Sequence, residues 1–358
     1  MIVKGREAVN IICPPPARAE PIKTDIAESF ALPGFAPGRL LEIMRAVVAR
    51  SGLDLSGMTI LTEAATGAYC VTPVIAALAN ASQVHAVTRP SRYGTVAEVE
   101  RCTHELASLA GVADRIEIVT RIDDNVLARA DIVTNSGHLR PIDRSTISKL
   151  PRDCVIALMF ETWEFRASDI DLSGCRERGI PIVGVNERHP SVDVFSYLGP
   201  LCVNMLHEAG VAVYGSRIAL LCDNDFSSFI SRGLAGLGAD FRSFSDVVAL
   251  EPGHWDAVVL ALRPGAAPRI DAPGAAHIAR MAPTAIIAQL WGDADRAAIA
   301  AMGLRIWPPQ SPPPGHMGVL LSAIGPEPIV RLQTGGLRAA EWVRRGLTIE
   351  AGGIAEIL

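Results

Sequence analysis

The feature that most limits the fold is an alternation. From Met58 onward, short apolar runs of strand length take turns with longer runs of helical spacing. "MTILTEA", "QVHAVTR", "RIEIVTR", "DIVTNSG", "DCVIALMFE" and "PIVGVN" read as strands. "CVTPVIAALANA", "VAEVERCTHELASLAG", "DNVLARA" and "DRSTISKL" read as the helices that separate the first five. Parallel strands need a crossover between them, usually helical, so the pattern predicts a parallel, doubly wound sheet of the Rossmann type. After a long connecting helix over "SVDVFSYLGPLCVNMLHEAG", a second and shorter alternation runs from "RIALLCD" to "LRIWPPQ". The expected fold class is therefore α/β, with two tandem Rossmann-like units, an N-terminal extension and a C-terminal helix. The expected bounds are 1–57 for the extension and first helix, 58–195 for a cofactor-binding unit, 196–325 for a smaller second unit, and 326–358 for the terminal helix and tail.

Composition narrows the function classes. The chain has 358 residues, 49% hydrophobic and 20% charged, which is a globular balance. A net charge of -5 without long runs of one sign argues against nucleic acid or acidic membrane as the main partner. Apolar stretches break well short of the roughly 20 residues a membrane span needs. No sustained apolar segment of signal-peptide type is read at the N-terminus. The seven cysteines are scattered and form no CxxC pair, which fits a reducing, cytoplasmic setting. There is no HExxH, zinc spacing, GxSxG or P-loop, so no metal is expected and zinc-enzyme, hydrolase and ATPase readings lose ground.

Ligands of open α/β sheets bind at the carboxyl ends of the strands. At that edge "TEAATGAYCVTP" occupies the phosphate-loop position, with Gly67 alone where such loops usually carry three glycines. Backbone amides at the start of the following helix suit a pyrophosphate, and Glu63, Thr66, Gly67, Ala68 and Tyr69 are the candidate cofactor residues. After the second strand come Thr88, Arg89, Ser91 and Arg92. Two guanidiniums and no acid suit the 2′-phosphate of NADP better than the ribose diol of NAD, and NADP or NAD is the expected cofactor. Asn135, Ser136 and Gly137 follow the fourth strand, where a nicotinamide ring would lie. His138 is a candidate proton carrier near neutral pH. Glu161 and Glu164 flank Trp163, and an indole that desolvates a carboxylate raises its pKa toward general acid–base use. Arg140 and Arg188 are candidates for orienting an anionic substrate, with Trp163, Asn186 and His189 beside them. Plain roles compete at each position: a strand-to-helix turn at Gly67, solvating arginines after the second strand, capping for Glu161 and Glu164.

A family resemblance enters at "ADIVTNSGHLRPIDRSTISKLPRDCVIALMFETWEFRASDIDLSGCRERGIPIVGVN". Its rhythm resembles the cofactor domain of S-adenosylhomocysteine hydrolases and of the wider formate/glycerate dehydrogenase group. The run "GIPIVGVNERHPSVDVFSYLGPLCVNMLHEAGVAVYGSRIALLCDNDFSSF" resembles the domain crossover of D-2-hydroxyacid dehydrogenases. The resemblance implies an NAD(P)-dependent oxidoreductase, or an enzyme with tightly held nicotinamide, acting on a small anionic metabolite in an interdomain cleft. The chain departs from the pattern where "DNDFSSF" replaces the glycine fingerprint after "RIALLC", and Asp223 and Asp225 would repel a pyrophosphate there. The Arg–Glu–His set of those dehydrogenases has no counterpart that can be aligned. Two alternatives stay open. "LASLAGVADRIEIVTRIDD" resembles a segment of class I methyltransferases, which would take S-adenosylmethionine, although the usual acid after the second strand is missing. The eroded glycine loops also allow a non-catalytic scaffold that binds a metabolite or partner. Alanine- and leucine-rich helices lead to the expectation of a homodimer.

Overall fold

The computed structural model describes residues 32–91 and 93–358. Residues 1–31 of the N-terminal extension, and Arg92, lie outside the described residues.

The first unit is a seven-stranded sheet in the order β12-β6-β5-β4-β1-β2-β3. Its parallel strands are β1 (Thr59–Glu63), β2 (Gln83–Val87), β3 (Ile116–Val119), β4 (Ile132–Thr134), β5 (Val155–Ala157) and β6 (Ile182–Val185). The order 3-2-1-4-5-6 is that of the Rossmann fold. Ile60 sits opposite Val84 on one side and Ile132 on the other. Both faces of this sheet are covered, which is why its strands read as nearly continuous apolar runs: Ile60, Leu61, Ile132, Val133, Val155 and Ile156 are all fully buried. The covering helices are α1 (Pro37–Ser51), α2 (Val71–Leu78), α3 (Val96–Ala110), α4 (Asp124–Leu127), α5 (Arg144–Lys149) and α6 (Leu172–Arg178). The start of α3 is fixed by a capping box between Thr95 and Glu98, and Val99, Cys102 and Leu106 form its buried stripe.

The second unit is a five-stranded parallel sheet in the order β11-β10-β9-β7-β8. Its strands are β7 (Arg217–Leu221), β8 (Asp240–Phe244), β9 (Ala257–Ala261), β10 (Ile286–Trp291) and β11 (Arg305–Trp307). Counted within the unit, this is the doubly wound order 2-1-3-4-5. Its helices are α7 (Leu198–Glu208), α8 (Phe226–Gly236), α9 (Ala272–Met281) and α10 (Arg296–Ala301). Two tandem Rossmann-like units are thus present. The connecting helix is shorter than its sequence pattern: α7 begins at Leu198, after a 3-10 turn over Phe195–Tyr197. Asp193 has a left-handed backbone (φ 53), and the Val194 amide donates back to the Glu187 carbonyl, so a helix cannot start earlier.

The chain then returns. Helix α11 (Glu327–Arg344) sends Ile329, Val330, Leu337 and Ala340 into the core of the first unit. Beyond it, β12 (Ala355–Ile357) pairs antiparallel with β6. Nothing in the hydrophobic pattern of the tail predicts that strand, which is three residues long. Among the described residues no helix is long and apolar enough to cross a membrane.

Candidate functional site

The carboxyl ends of β1, β4, β5 and β6 face the second unit across a cleft of about 1130 Å³. Glu63, Tyr69, Asn135, Ser136, Gly137, Arg140, Trp163 and Glu164 all line it, so eight sequence-derived candidates come together. The second unit contributes Phe226, Trp291 and the loop 308–321. Several hydrogen bonds tie that loop down, among them the following three. The Arg296 guanidinium donates to the Pro308 carbonyl (2.6 Å), the Trp291 indole to the Gly315 carbonyl (3.2 Å), and the Gly318 amide to the Leu290 carbonyl (2.9 Å).

At the first phosphate-loop position, Gly67 adopts φ 60, a left-handed conformation that glycine holds without a Cβ penalty. Among the described residues, no protein group accepts from the amides of Thr66, Gly67 or Ala68. Thr66 donates its hydroxyl to the Tyr93 carbonyl at 3.0 Å. The Glu63 carboxylate accepts from the His138 amide at 3.0 Å, which draws it toward the loop after β4. A Cβ on Gly137 would lie 2.9 Å from the same Glu63 oxygen, so a larger residue there would push the carboxylate aside. Tyr69 is pushed up to about 12 by burial and by the carboxylates of Glu63 and Glu187. It is a neutral hydroxyl at any physiological pH.

At the end of β2, Thr88 is fully buried and its hydroxyl has no partner among the described residues. Arg89 is exposed and has neither an ion pair nor a hydrogen bond there. Ser91 closes a small turn, exchanging backbone hydrogen bonds with Gly94.

The loop after β5 carries the acids. Glu161 is 1% exposed; it accepts from the Trp163 indole and, at 3.2 Å, from the Glu187 amide. Burial raises its pKa, while the Trp163 hydrogen bond and the Arg188 charge, 3.6 Å away, pull the other way. Glu164 is raised to about 7, by burial first and then by the Glu161 charge. Glu187 lies well above the ordinary carboxyl range because it is buried beside Glu164 and Glu161. Three carboxyls in one desolvated pocket cannot all ionise cheaply, so protons are held there near neutral pH.

The crossover "NERHPSVD" divides in its placement. Arg188 bridges the units, pairing with Glu161 and with Asp225 at 2.5 Å. Asn186 donates to the Gly352 and Gly353 carbonyls, and His189 bonds the Ser191 hydroxyl at 2.8 Å. Neither lines the cleft; Glu187 between them does. His138 is half-buried and meets Glu63 through its backbone amide. Trp163 packs on Trp291 (5.1 Å between ring centres), Trp291 on Phe226 (4.9 Å), and Phe226 on Phe195 (5.3 Å). Each such pair adds roughly 0.5–1.5 kcal/mol beyond simple burial, so the row fastens one unit to the other. The second-unit aromatics carried no sequence signal beyond their places, Phe226 at a helix start and Trp291 at a strand end.

The loop of the second unit is built differently. The Asn224 side chain accepts from the Phe226 amide (3.0 Å) and donates to the Ala261 carbonyl (2.8 Å). Asp223 accepts from the Arg263 amide (2.8 Å) and pairs with Arg269 (3.2 Å). This loop caps itself. Among the described residues, no cluster of side chains could hold a metal ion.

No protein-family model and no curated protein matches the sequence. Solved structures do. The chain is similar to dipicolinate synthase from Bacillus halodurans at 14% identity and TM-score 0.50, covering 83% of this chain and 100% of that one. It is also similar to dipicolinate synthase from Bacillus subtilis (13% identity, TM-score 0.49, 82% and 97% covered). A third is NAD-dependent formate dehydrogenase from Staphylococcus aureus in complex with NAD (14% identity, TM-score 0.49, 82% and 97% covered). At such identities the likeness is one of fold, and the resemblance read from the sequence holds at that level. By architecture, the chain is a protein of two tandem Rossmann-like units, a fold it shares with dipicolinate synthase from Bacillus halodurans.

Proposed function

We propose that the protein is an NAD(P)-dependent oxidoreductase acting on a small anionic metabolite in the cleft between its two units. The observation that carries this reading is the loop around Gly67. Its amides have no protein acceptor among the described residues, Gly67 holds a left-handed turn there, and the loop stands at the switch point of a Rossmann sheet. The self-capped loop of the second unit does not fit a pyrophosphate. In the first unit, Thr66, Gly67 and Ala68 would hold the phosphates through their amides, and Arg89 would meet a 2′-phosphate. Glu63, placed beside Gly137, would accept from the carboxamide of a nicotinamide lying over Asn135–Gly137. That ring, when bound, supplies hydride exchange with the substrate.

The protein's own part is positioning and proton handling. Glu164, titrating near 7, holds a proton at its carboxyl where it can be exchanged with a substrate oxygen. Glu161 keeps that proton in place by its charge and is itself fixed by Trp163 and Arg188. Arg140 orients an anionic group, and the Trp163–Trp291 pair excludes water from one side. One observation favours a non-catalytic scaffold instead: a carboxylate, Glu63, stands beside the phosphate loop. Titration with NADPH and NADH separates the two readings. Trp163 and Trp291 line the cleft, so a bound reduced nicotinamide is expected to quench their emission by energy transfer and to raise the melting temperature. Absence of both signals with either nucleotide sinks the oxidoreductase reading.

A further inference from the structure

The C-terminal tail grips both segments that carry the buried acids. Its strand β12 lies at the edge of the first sheet, with Glu356 directly opposite Gly184 of β6. Residues paired in this way send their side chains to the same face of a sheet. On that face of β6 lies the turn Thr162–Glu164, which follows Glu161 directly. The turn lies flat there because Gly184 has no side chain. A Cβ on it would stand 2.8 Å from Thr162 Cγ2, 2.9 Å from the Thr162 nitrogen and 3.0 Å from the Phe160 carbonyl oxygen. The last two are backbone atoms, which cannot swing aside as a side chain can. Glu356 reaches into the same space. Its carboxylate accepts from the Thr162 hydroxyl at 3.1 Å and lies 3.5 Å from the Thr162 amide nitrogen.

The second grip is on the crossover after β6. The Asn186 side chain donates to the Gly352 and Gly353 carbonyls at 3.3 and 3.1 Å, and the Asn186 amide donates to the Ile354 carbonyl at 2.9 Å. Glu187 and Arg188 follow at once, and the Glu187 amide donates to Glu161, so the two gripped segments also meet each other. The tail itself has a slender hold. Its strand is three residues long, the tail buries Ile354 and Ala355, and the link to α11 over 346–352 is exposed throughout. Charged neighbours come from every side of the pocket. Glu161 and Arg166 face Glu164 from its own loop, and Glu187 faces it from the crossover. Glu356 and Arg188 face Glu161, and Tyr69 faces Glu187 from the loop after β1.

We propose that Glu356 is a positioning residue for the acid loop: by fastening Thr162 over Gly184 it seats Glu161 and Glu164 against Glu187, so that docking of the C-terminal strand sets the geometry of the acid pocket. Glu356 does not line the cleft and acts only through Thr162. Its bearing on proton handling rests on the oxidoreductase reading above; the contact itself does not.

The test follows hydrogen exchange, peptide by peptide, in the full-length protein without substrate or nucleotide. Its failure and that of the nucleotide titration are therefore separate results. Glu356→Ala is expected to speed exchange about tenfold in the segments 160–166 and 184–188, the worth of one hydrogen bond to a charged group, while the second unit keeps its wild-type rate. Glu356→Gln still offers an acceptor to the Thr162 hydroxyl and is expected to stay within about threefold of wild type. A pH profile separates positioning from mere support of the fold. Burial is the main cause that holds Glu164 at about 7, so an unseated turn that admits water moves it back toward 4.5. Between those values stability falls as pH rises, because the folded carboxyl keeps a proton that the unfolded chain has already lost. In Glu356→Ala that fall is expected to end at a lower pH than in wild type, and in Glu356→Gln to end where wild type does. Wild-type exchange or an unmoved pH profile in Glu356→Ala, acceleration spread evenly over both units, or a Glu356→Gln protein as unprotected as Glu356→Ala overturns the proposal. Thr162→Val removes the other half of the contact; should Glu356→Ala fail to fold, it carries the same expectation and the same overturning results.

Discussion

Two loops occupy the same topological position, one in each unit, and have opposite electrostatic characters. Each joins the first strand of its sheet to the next helix, and each lacks the three-glycine fingerprint. In the second unit the polar groups are spent on one another. Burial works to raise the Asp223 carboxyl, yet the Arg263 amide, the Asn224 side chain and Arg269 outweigh it and hold the group below the usual carboxylate range. In the first unit the loop amides have no protein acceptor among the described residues, and the nearby acids Glu164 and Glu187 are pushed the other way. A satisfied acid stabilises a fold, whereas a strained one is available for chemistry. The loss of the glycine motif therefore means different things in the two units: polar groups spent on one another in one, amides left without a protein acceptor in the other.

The largest expected effect tests the strained acid. Glu164→Gln removes the proposed proton carrier and is expected to lower turnover by about 10²–10⁴-fold, measured once a substrate is in hand. Its stability effect has the opposite sign and needs no substrate. Below the ordinary value of 4.5, the carboxyl is protonated in both the folded and unfolded chain and contributes nothing. From there to about 7 the unfolded chain ionises first, so stability falls as pH rises; above about 7 the penalty is constant. Glu164→Gln should therefore melt higher than wild type at pH 8, by about 1–3 kcal/mol of stability, and equal it at pH 4. A gain of the same size at both pH values would remove the contrast between strained and satisfied acids.

Gly67→Val comes next. It puts a branched side chain where φ is 60 and blocks approach to the free amides. Nucleotide affinity is expected to fall about 100-fold, the worth of one or two charge-assisted hydrogen bonds, as read by calorimetry. Asn224→Ala probes the other loop and should cost about 1–3 kcal/mol of unfolding free energy through its lost bonds to Phe226 and Ala261. It should leave nucleotide affinity unchanged. If the two variants exchange phenotypes, the second unit is the host.

The architecture was open to sequence reading because fully covered parallel strands leave long apolar runs such as "DCVIALMF", and most of these runs are followed by a helical pattern. Much of the cleft was readable for the same reason: in this topology, residues just after β1, β4 and β5 must share one edge, which gathered Glu63, Asn135 and Glu164. What escaped depends on long-range contact. Trp291 and the loop 308–321 reach the cleft only because the units dock, and β12 exists only because β6 offers it an open edge. Polarity alone could not sort "NERH": buried Glu187 faces the cleft, while Asn186 turns to the tail at Gly352. Nor did the pattern mark the left-handed Asp193 that delays the connecting helix.

The smallest effect sharpens the comparison within the first unit. Arg89 is an exposed cation at the end of β2, without a protein partner among the described residues. A surface ion pair with a carboxylate is worth little, because water competes for both charges. A phosphomonoester carries nearly two charges and takes a guanidinium bidentately, so more of the interaction survives. Arg89→Ala is thus expected to weaken NADPH about tenfold, leave NADH unchanged, and lose its effect in high salt. Equal weakening of both nucleotides would mean that Arg89 supports the fold of the loop instead of reading the 2′-phosphate. Unchanged binding of both would leave the amides around Gly67 as the whole of the cradle, with no means of telling the two cofactors apart at this end.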